Sequence, residues 1–165
     1  GRDGKTAGVH LLYGRGDASI NERILADATP DHDVMAQVYR KLRSLQRNTP
    51  DDYFCVADAD LAEAASDAFR AVSPTSAACG LAVFRELGLI ETRTVYEAGR
   101  PHLWVRVREG ASKVELTDSV RYREGIDERT LFGGFCRWAL GTDEPALTVR
   151  LCHPIVPRNW PGQGH

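Results

Sequence analysis

Apolar residues recur at helical spacing in the segment that follows Pro30. Val34, Val38 and Leu42 stand four residues apart, and the residues between them are mostly polar. A Thr-Pro-Asp sequence opens the run and is typical of a helix start. The spacing predicts an amphipathic helix over residues 31–47.

Two further patterns predict two more helices. Asp58 is placed to cap the second, and the third opens at Ser73-Pro74, where the missing N–H of proline costs nothing in the first turn. Gly88 is a typical residue just after a helix end. The second helix has a thin predicted apolar face that comprises Leu61, Ala65, Ala68 and Phe69.

Two alternating segments, 89–97 and 102–109, come after Gly88 and predict a β-hairpin joined by residues 98–101. In the second segment, Leu and Val at odd positions alternate with Trp and Arg at even positions, so one face is core and the other basic. A helix followed by two hairpin strands forms the second half of a winged helix. The predicted fold class is α+β, with a winged-helix-like core of three helices and a β-hairpin wing.

The rest of the chain is predicted to extend this core. Four more elements are expected: strands at 9–13 and 147–152, a short helix at 21–26 and a final helix at 126–140. Residues 53–56 are a predicted short strand and residues 113–117 alternate again. In chain order the predicted regions are a connecting strand and loop at 1–29, the winged-helix-like core at 30–118, a helix and strand at 119–153, and a flexible tail at 154–165.

Charge limits the choice of partner. The 165 residues carry a net charge of −2, so nucleic-acid binding requires a local basic patch. No apolar run approaches the roughly 18 residues of a membrane span, and the N-terminal residues lack the apolar core of a secretory signal. We therefore expect a cytoplasmic protein without a membrane partner.

The cysteines allow two interpretations. They are widely spaced and form no C-x-x-C pair, which favours reduced, mostly buried thiols. The alternative is a structural zinc site assembled from distant segments, since thiolate and imidazole are zinc ligands. Its candidate ligands are Cys55, Cys79, Cys136, Cys152 and His153.

The sequence motifs of common catalytic sites are missing. There is no H-E-x-x-H, no nucleophile elbow and no phosphate-binding loop with lysine. Asp31-His32-Asp33 stands at a predicted helix start, where capping explains it better than metal binding. We predict that this chain is not an enzyme and requires no cofactor.

Arginines and aromatic residues interleave in the second half of the chain. Arginine suits phosphate and a flat ring suits base stacking, which together favour single-stranded nucleic acid. Interleaved glutamates and aspartates favour the alternative, a solvated face with internal ion pairs that docks a protein. The predicted DNA-binding residues are Arg93, Trp104, Arg106, Arg108, Arg121, Tyr122 and Arg123.

The predicted third helix carries few side chains that read bases. Arg85 is its one basic residue, whereas major-groove recognition usually uses Arg, Lys, Asn or Gln on that helix. A winged-helix transcription regulator that binds duplex DNA remains the alternative function.

Six stretches occur in an order that is typical of one bacterial family. They are VHLLYG at 9–14, NERIL at 21–25, VYRKL at 38–42, FRELGLIE at 84–91, KVELTDSVRYREG at 113–125 and FCRWAL at 135–140. Together they resemble the C-terminal accessory region of RecJ, the exonuclease that digests single-stranded DNA from the 5′ end.

The resemblance implies a non-catalytic part of a DNA repair and recombination nuclease. The family's nuclease core holds two manganese or magnesium ions with Asp and His motifs, and no segment of this chain matches them. The implied role is to assist single-stranded DNA binding and to recruit a repair helicase or a single-strand-binding protein. The implied location is the cytoplasm, in association with the nucleoid.

Overall fold

Helices and a small antiparallel sheet make up the computed structural model, which describes residues 16–49, 52–108 and 114–141. The described residues form five α-helices, three strands and one turn of 3-10 helix. In chain order these are α1 (Asp17–Ala28), α2 (His32–Asn48), β1 (Phe54–Val56), α3 (Asp58–Ala65), α4 (Pro74–Glu86), β2 (Ile90–Glu97), β3 (Arg100–Val107), the 3-10 turn (Leu116–Asp118) and α5 (Val120–Gly141).

The described residues fall into two compact units. Residues 24–127 form one unit, which contains the sheet and helices α2 to α4. Residues 16–23 and 128–141 belong to the other. The order helix, strand, helix, helix, strand, strand from α2 to β3 is a winged-helix-like α+β arrangement, so the predicted fold class is confirmed.

The core of the larger unit lies between the three central helices and one face of the sheet. On α2, Val38 and Leu42 of the predicted stripe are fully inaccessible, and Val34 is half-buried. The helices pack closely at Gly80 of α4, where an added Cβ would lie 3.2 Å from Val38 Cγ1. Phe84 on α4 and Val105 on β3 complete the centre.

Helix α4 begins and ends as its sequence predicts. Ser73 is the N-cap, its hydroxyl accepts a hydrogen bond from Ser76 N at 3.1 Å, and Pro74 occupies the first turn. Gly88 follows the helix with φ +69°, a left-handed conformation that glycine adopts without strain.

The hairpin turn is shorter than predicted. The sheet has the order β1-β3-β2, and Glu97 pairs directly with Arg100, so only two residues form the turn. Ala98 and Gly99 have φ of 49° and 77°. Positive φ at both positions is what a two-residue hairpin turn with the right twist requires.

Helix α3 is also shorter than predicted. It ends at Ala65, so Ala68 and Phe69 do not belong to its apolar face, and Phe69 is 99% exposed. Asp67 ends the helical pattern because its side chain accepts hydrogen bonds from the backbone N–H groups of Phe69 and Arg70.

Helix α5 begins six residues before its predicted start. Ser119 caps it, because its hydroxyl accepts a hydrogen bond from Tyr122 N at 3.1 Å. Helix α1 is likewise longer than the predicted 21–26, and a 3-10 turn occupies part of the predicted alternating segment 113–117. The predicted strands at 9–13 and 147–152 and the tail at 154–165 lie outside the described residues.

Candidate nucleic-acid interface

The outer face of the sheet gathers most of the predicted DNA-binding residues. The strand register places Glu91 opposite Arg106 and Arg93 opposite Trp104. Their side chains share the face away from the helices, since Ile90 and Val105 point into the core. We call this cluster the sheet face and define it as Tyr53, Glu91, Arg93, Trp104, Arg106 and Arg108.

Glu91 is the electrostatic centre of the sheet face. Its carboxylate accepts hydrogen bonds from Arg106 Nη2 at 2.6 Å, from Arg108 Nε at 2.8 Å and from the Tyr53 hydroxyl at 2.9 Å. Hydrogen bonds from Arg108, Tyr53 and Arg106 lower the pKa of Glu91 to about 2. The carboxylate is therefore ionised at neutral pH and offsets one of the guanidinium charges beside it.

A stack of flat groups lies next to this ion-pair network. The Arg93 guanidinium lies 4.1 Å from the centre of the Tyr53 ring and 5.6 Å from that of Trp104. The Arg106 guanidinium lies 5.1 Å from the Tyr53 ring centre. These distances permit cation–π attraction between the guanidinium groups and the rings.

Part of the stack is accessible to solvent. Arg93 is exposed, whereas Trp104 is partly buried. The indole Nε1 of Trp104 is buried and has no hydrogen-bond partner among the described residues. The side chains of Arg106 and Arg108 are 39% and 57% exposed, so both remain partly accessible to solvent while they pair with Glu91.

Three predicted DNA-binding residues lie on α5 instead of the sheet. Arg121 and Arg123 are exposed in its first turn. Tyr122 is 6% exposed, and its hydroxyl donates a hydrogen bond to Pro30 O at 3.0 Å. The prediction for Tyr122 was wrong, because a ring held in the core cannot stack on a base.

The sequence prediction missed Tyr53 as a member of the cluster and the central position of Glu91. Tyr53 precedes a three-residue strand and is far in sequence from the hairpin. The alternation of side chains along β2 was a sequence signal that could have placed Glu91 on the same face as the arginines. Its pairing with Arg106 depends on the two-residue turn, which the sequence prediction did not contain.

The zinc candidates do not form a cluster among the described residues. Cys55 is exposed on β1, with its sulfur 4.0 Å from His102 Nδ1. Cys79 lies on α4, where burial raises the pKa of its thiol, and Cys136 lies on α5 in the other unit. The described residues contain no group of three potential ligands, and Cys152 and His153 lie outside them.

Helix α4 offers little surface for base recognition. Six of its thirteen residues are buried, and its exposed polar side chains are Thr75, Arg85 and Glu86. Glu86 is already engaged, since its carboxylate accepts hydrogen bonds from the Ser119 hydroxyl at 2.8 Å and from Val120 N at 2.6 Å.

We compared the chain with protein-family models, with curated proteins and with solved structures, and none of the three comparisons found a match. Within the described ranges no helix is both long enough and apolar enough to cross a membrane. The chemistry of the sheet face and the sequence resemblance are therefore the two grounds for a functional proposal.

Proposed function

We propose that this chain is a non-catalytic accessory region of a RecJ-type exonuclease that assists single-stranded DNA binding and recruits a protein partner. In this proposal the sheet face contacts the DNA strand. The partner is a repair helicase or a single-strand-binding protein, in keeping with the sequence resemblance. The proposed setting is DNA repair and recombination in the bacterial cytoplasm, near the nucleoid.

The observation that supports the DNA contact is the packing of Arg93 against Tyr53 and Trp104. Flat rings and guanidinium planes form a platform on which an unpaired base can stack, and every base has a π-face. Arg106 and Arg108 add charge for phosphate at the edge of the platform. An unpaired strand suits this arrangement better than a duplex, whose bases are stacked on each other.

The size of the charged cluster indicates weak binding. The sheet face contains three arginines and one glutamate that pairs with two of them. With a small net positive charge, we expect a dissociation constant of about 1–100 µM at physiological salt, as for nonspecific nucleic-acid binding. A protein partner that tethers the region near DNA would compensate for this low affinity.

The alternative of a duplex-reading transcription regulator has less support. Such a regulator presents base-reading side chains from one helix in the major groove. The corresponding helix here, α4, is largely covered by its neighbours, and Arg85 is its one basic residue.

A titration with labelled oligonucleotides tests the proposal. Fluorescence anisotropy of fluorescein-labelled dT15 is followed at 50 and 200 mM NaCl, in comparison with a 15-base-pair duplex and with an abasic strand of equal length. We expect dT15 to bind several-fold more tightly than the abasic strand, because stacking contributes to affinity, and more tightly than the duplex.

Variants then identify the surface. Arg106→Gln combined with Arg108→Gln should weaken dT15 binding by about tenfold or more at 50 mM NaCl. Arg40→Gln with Arg43→Gln removes the same charge from exposed positions on α2 and should change affinity less than about twofold. Equal affinity for dT15 and duplex, or equal effects of the two double variants, would refute the proposal.

A further inference from the structure

Phe69 is the most exposed large hydrophobic residue among those that the structure describes. Its side chain is 99% accessible, compared with 73% for Tyr96 and 61% for Ile20. It lies between α3 and α4, in a segment that we call the Phe69 turn and define as residues 66–72. A fully exposed phenyl ring contributes nothing to the packing of the core, so it is available for contact with another molecule.

The backbone on both sides of Phe69 is held firmly. Asp67 Oδ1 accepts hydrogen bonds from Phe69 N at 2.9 Å and from Arg70 N at 2.8 Å, and Asp67 N donates to Arg70 O at 3.0 Å. At the ends of the turn, the Ser66 hydroxyl accepts from Val72 N at 2.8 Å and donates to Ala62 O. Val72 itself is buried.

Helix α2 fixes the turn from the other side. The Gln37 amide donates to Asp67 Oδ2, and Arg70 Nη1 lies 2.8 Å from Asp33 Oδ2. The ring of Phe69 is therefore exposed on a turn whose shape is already set. Because the backbone of the turn is already ordered, binding through the ring costs little backbone entropy, and exposed aromatic residues often dominate protein interfaces.

Carboxylates outnumber cations among the charged residues within the turn, at the end of α3 and in contact with the turn. Asp67 lies within the turn, Asp33 contacts its Arg70, and Glu63 is exposed in the last turn of α3, six residues before Phe69. Against these three carboxylates stands Arg70, which is paired with Asp33. The phosphate backbone of DNA would be repelled here, whereas an apolar surface bordered by lysines and arginines would be complementary.

We propose that the Phe69 turn is a docking site for a partner protein that presents an apolar patch bordered by basic side chains. The ring of Phe69 enters the apolar patch, and the carboxylates around it face the basic border. This inference deepens the partner-recruiting part of the proposed function and rests on that part. It uses none of the sheet-face residues, so DNA titrations test the two surfaces separately.

A synthetic probe with the stated chemistry tests the site on the full chain. The probe is a labelled 14-residue amphipathic helix of leucine and lysine, and its matched control replaces every lysine with glutamate. Binding is followed by fluorescence anisotropy and, on protein that carries 4-fluorophenylalanine, by the 19F signal of position 69. We expect the lysine peptide to bind at least tenfold more tightly than the glutamate peptide and to shift that signal.

Matched variants assign the binding to the turn. Phe69→Ala should weaken the lysine peptide about tenfold or more and leave the unfolding midpoint unchanged, since the ring is solvated. Tyr96→Ala removes a comparably exposed ring at the end of the hairpin and should have less than a twofold effect. Glu63→Lys should weaken the lysine peptide several-fold through repulsion.

Four outcomes would overturn the proposal. The first three are no binding of the lysine peptide at 1 mM, equal binding of the two peptides, and equal effects of Phe69→Ala and Tyr96→Ala. The fourth is self-association in sedimentation that Phe69→Ala abolishes, because a second copy of the chain would then occupy the site. If the peptide binds as expected while dT15 does not bind, the docking site stands and the DNA contact fails. If dT15 binds and the peptide does not, the DNA contact stands and the docking site fails.

Discussion

The central position of Glu91 leads to a prediction with a definite sign. Replacing Glu91 with Gln keeps the size and shape of the side chain but removes the charge that offsets Arg106 and Arg108. If the sheet face binds phosphate, Glu91 competes with it for the same guanidinium groups. The variant should therefore bind single-stranded DNA more tightly than the unchanged protein.

The magnitude follows from the charge count. One more net positive charge on the sheet face adds about 0.7 to the magnitude of the slope of log K against log salt for a single strand, which corresponds to about fivefold tighter binding at 0.1 M salt. Acid cannot substitute for the mutation, because the pKa of Glu91 is about 2 and the carboxylate stays ionised throughout the range of a binding assay. The predicted gain is therefore constant between about pH 5 and pH 8.

The assay is dT15 anisotropy at several salt concentrations with the unchanged protein, Glu91→Gln and Glu97→Gln. Glu97 lies on the same strand and is exposed, so its variant carries the same change in net charge. We expect Glu97→Gln to stay within about twofold of the unchanged protein, since exposed charges at a distance are screened by salt. If Glu91→Gln binds dT15 no more tightly than Glu97→Gln does, Glu91 does not compete with phosphate.

Three stability predictions follow from the described contacts, each measured by urea unfolding. Gly125→Ala should destabilise the protein by about 1–3 kcal/mol, because its Cβ would lie 1.9 Å from Thr29 Oγ1. The control is Gly134→Ala in the same helix, whose Cβ meets no atom within 4 Å and which should stabilise the protein by up to about 1 kcal/mol. Equal effects of the two substitutions would show that position 125 is not closely packed. Hydrogen bonds from Ser119 and Val120 at the start of α5 lower the pKa of Glu86 below its ordinary 4.5. The ionised carboxylate therefore contributes fully to the free energy of unfolding above pH 4.5, and this contribution is lost as the pH falls through the folded pKa. The free energy of unfolding of Glu86→Gln should depend less on pH below about 5, and an unchanged dependence would contradict this. Ala98→Asn should stabilise the protein by about 1 kcal/mol, because asparagine tolerates the left-handed conformation at this turn position. A loss of stability would show that position 98 does not adopt the left-handed conformation.

The central elements could be predicted from the sequence because each carries its own local signals. The apolar spacing of α2 requires only that one face be buried, and Val38 and Leu42 are indeed inaccessible. The limits of α4 follow from Ser73 and Gly88, which act within one turn of the helix ends. Local signals of this kind do not depend on the rest of the fold.

The start of α5 could not be predicted because it depends on a distant contact. The segment 118–125 contains no apolar stripe, so the sequence predicts the helix only from residue 126. In the structure α5 passes so close to Thr29 that a Cβ at position 125 does not fit. Once residues 120–125 are helical, Tyr122 turns inward while its neighbours Arg121 and Arg123 face solvent, which is why its expected role in DNA binding failed.

The membership of the sheet face was predictable only in part. Alternation places Arg106 and Trp104 on one side of β3 whatever the turn length. The partner of Arg106 depends on register, since a four-residue turn would set Glu91 opposite Arg108 instead. Tyr53 enters through the pairing of β1 with β3, which is a contact between residues about fifty positions apart.

Opposite ends of α2 contact the Phe69 turn and strand β3, which makes the independence of the two proposed surfaces testable. Asp33, near its start, contacts Arg70 of the Phe69 turn, and Gln46, near its end, accepts a hydrogen bond from Val107 N of the sheet. Thirteen residues of helix separate these contacts by about 20 Å, twice the screening length at 0.1 M salt. Sites this far apart should act additively.

Adding Phe69→Ala to the Arg106→Gln and Arg108→Gln variant should therefore leave its dT15 affinity unchanged within about twofold. The sheet-face changes should likewise leave the lysine peptide affinity unchanged within the same limit. Additivity would allow the protein to hold a partner at one end of α2 while a DNA strand occupies the other. A larger coupling in either titration would mean that the two ligands share a surface, and the assignment of separate roles to the sheet face and the Phe69 turn would then be wrong.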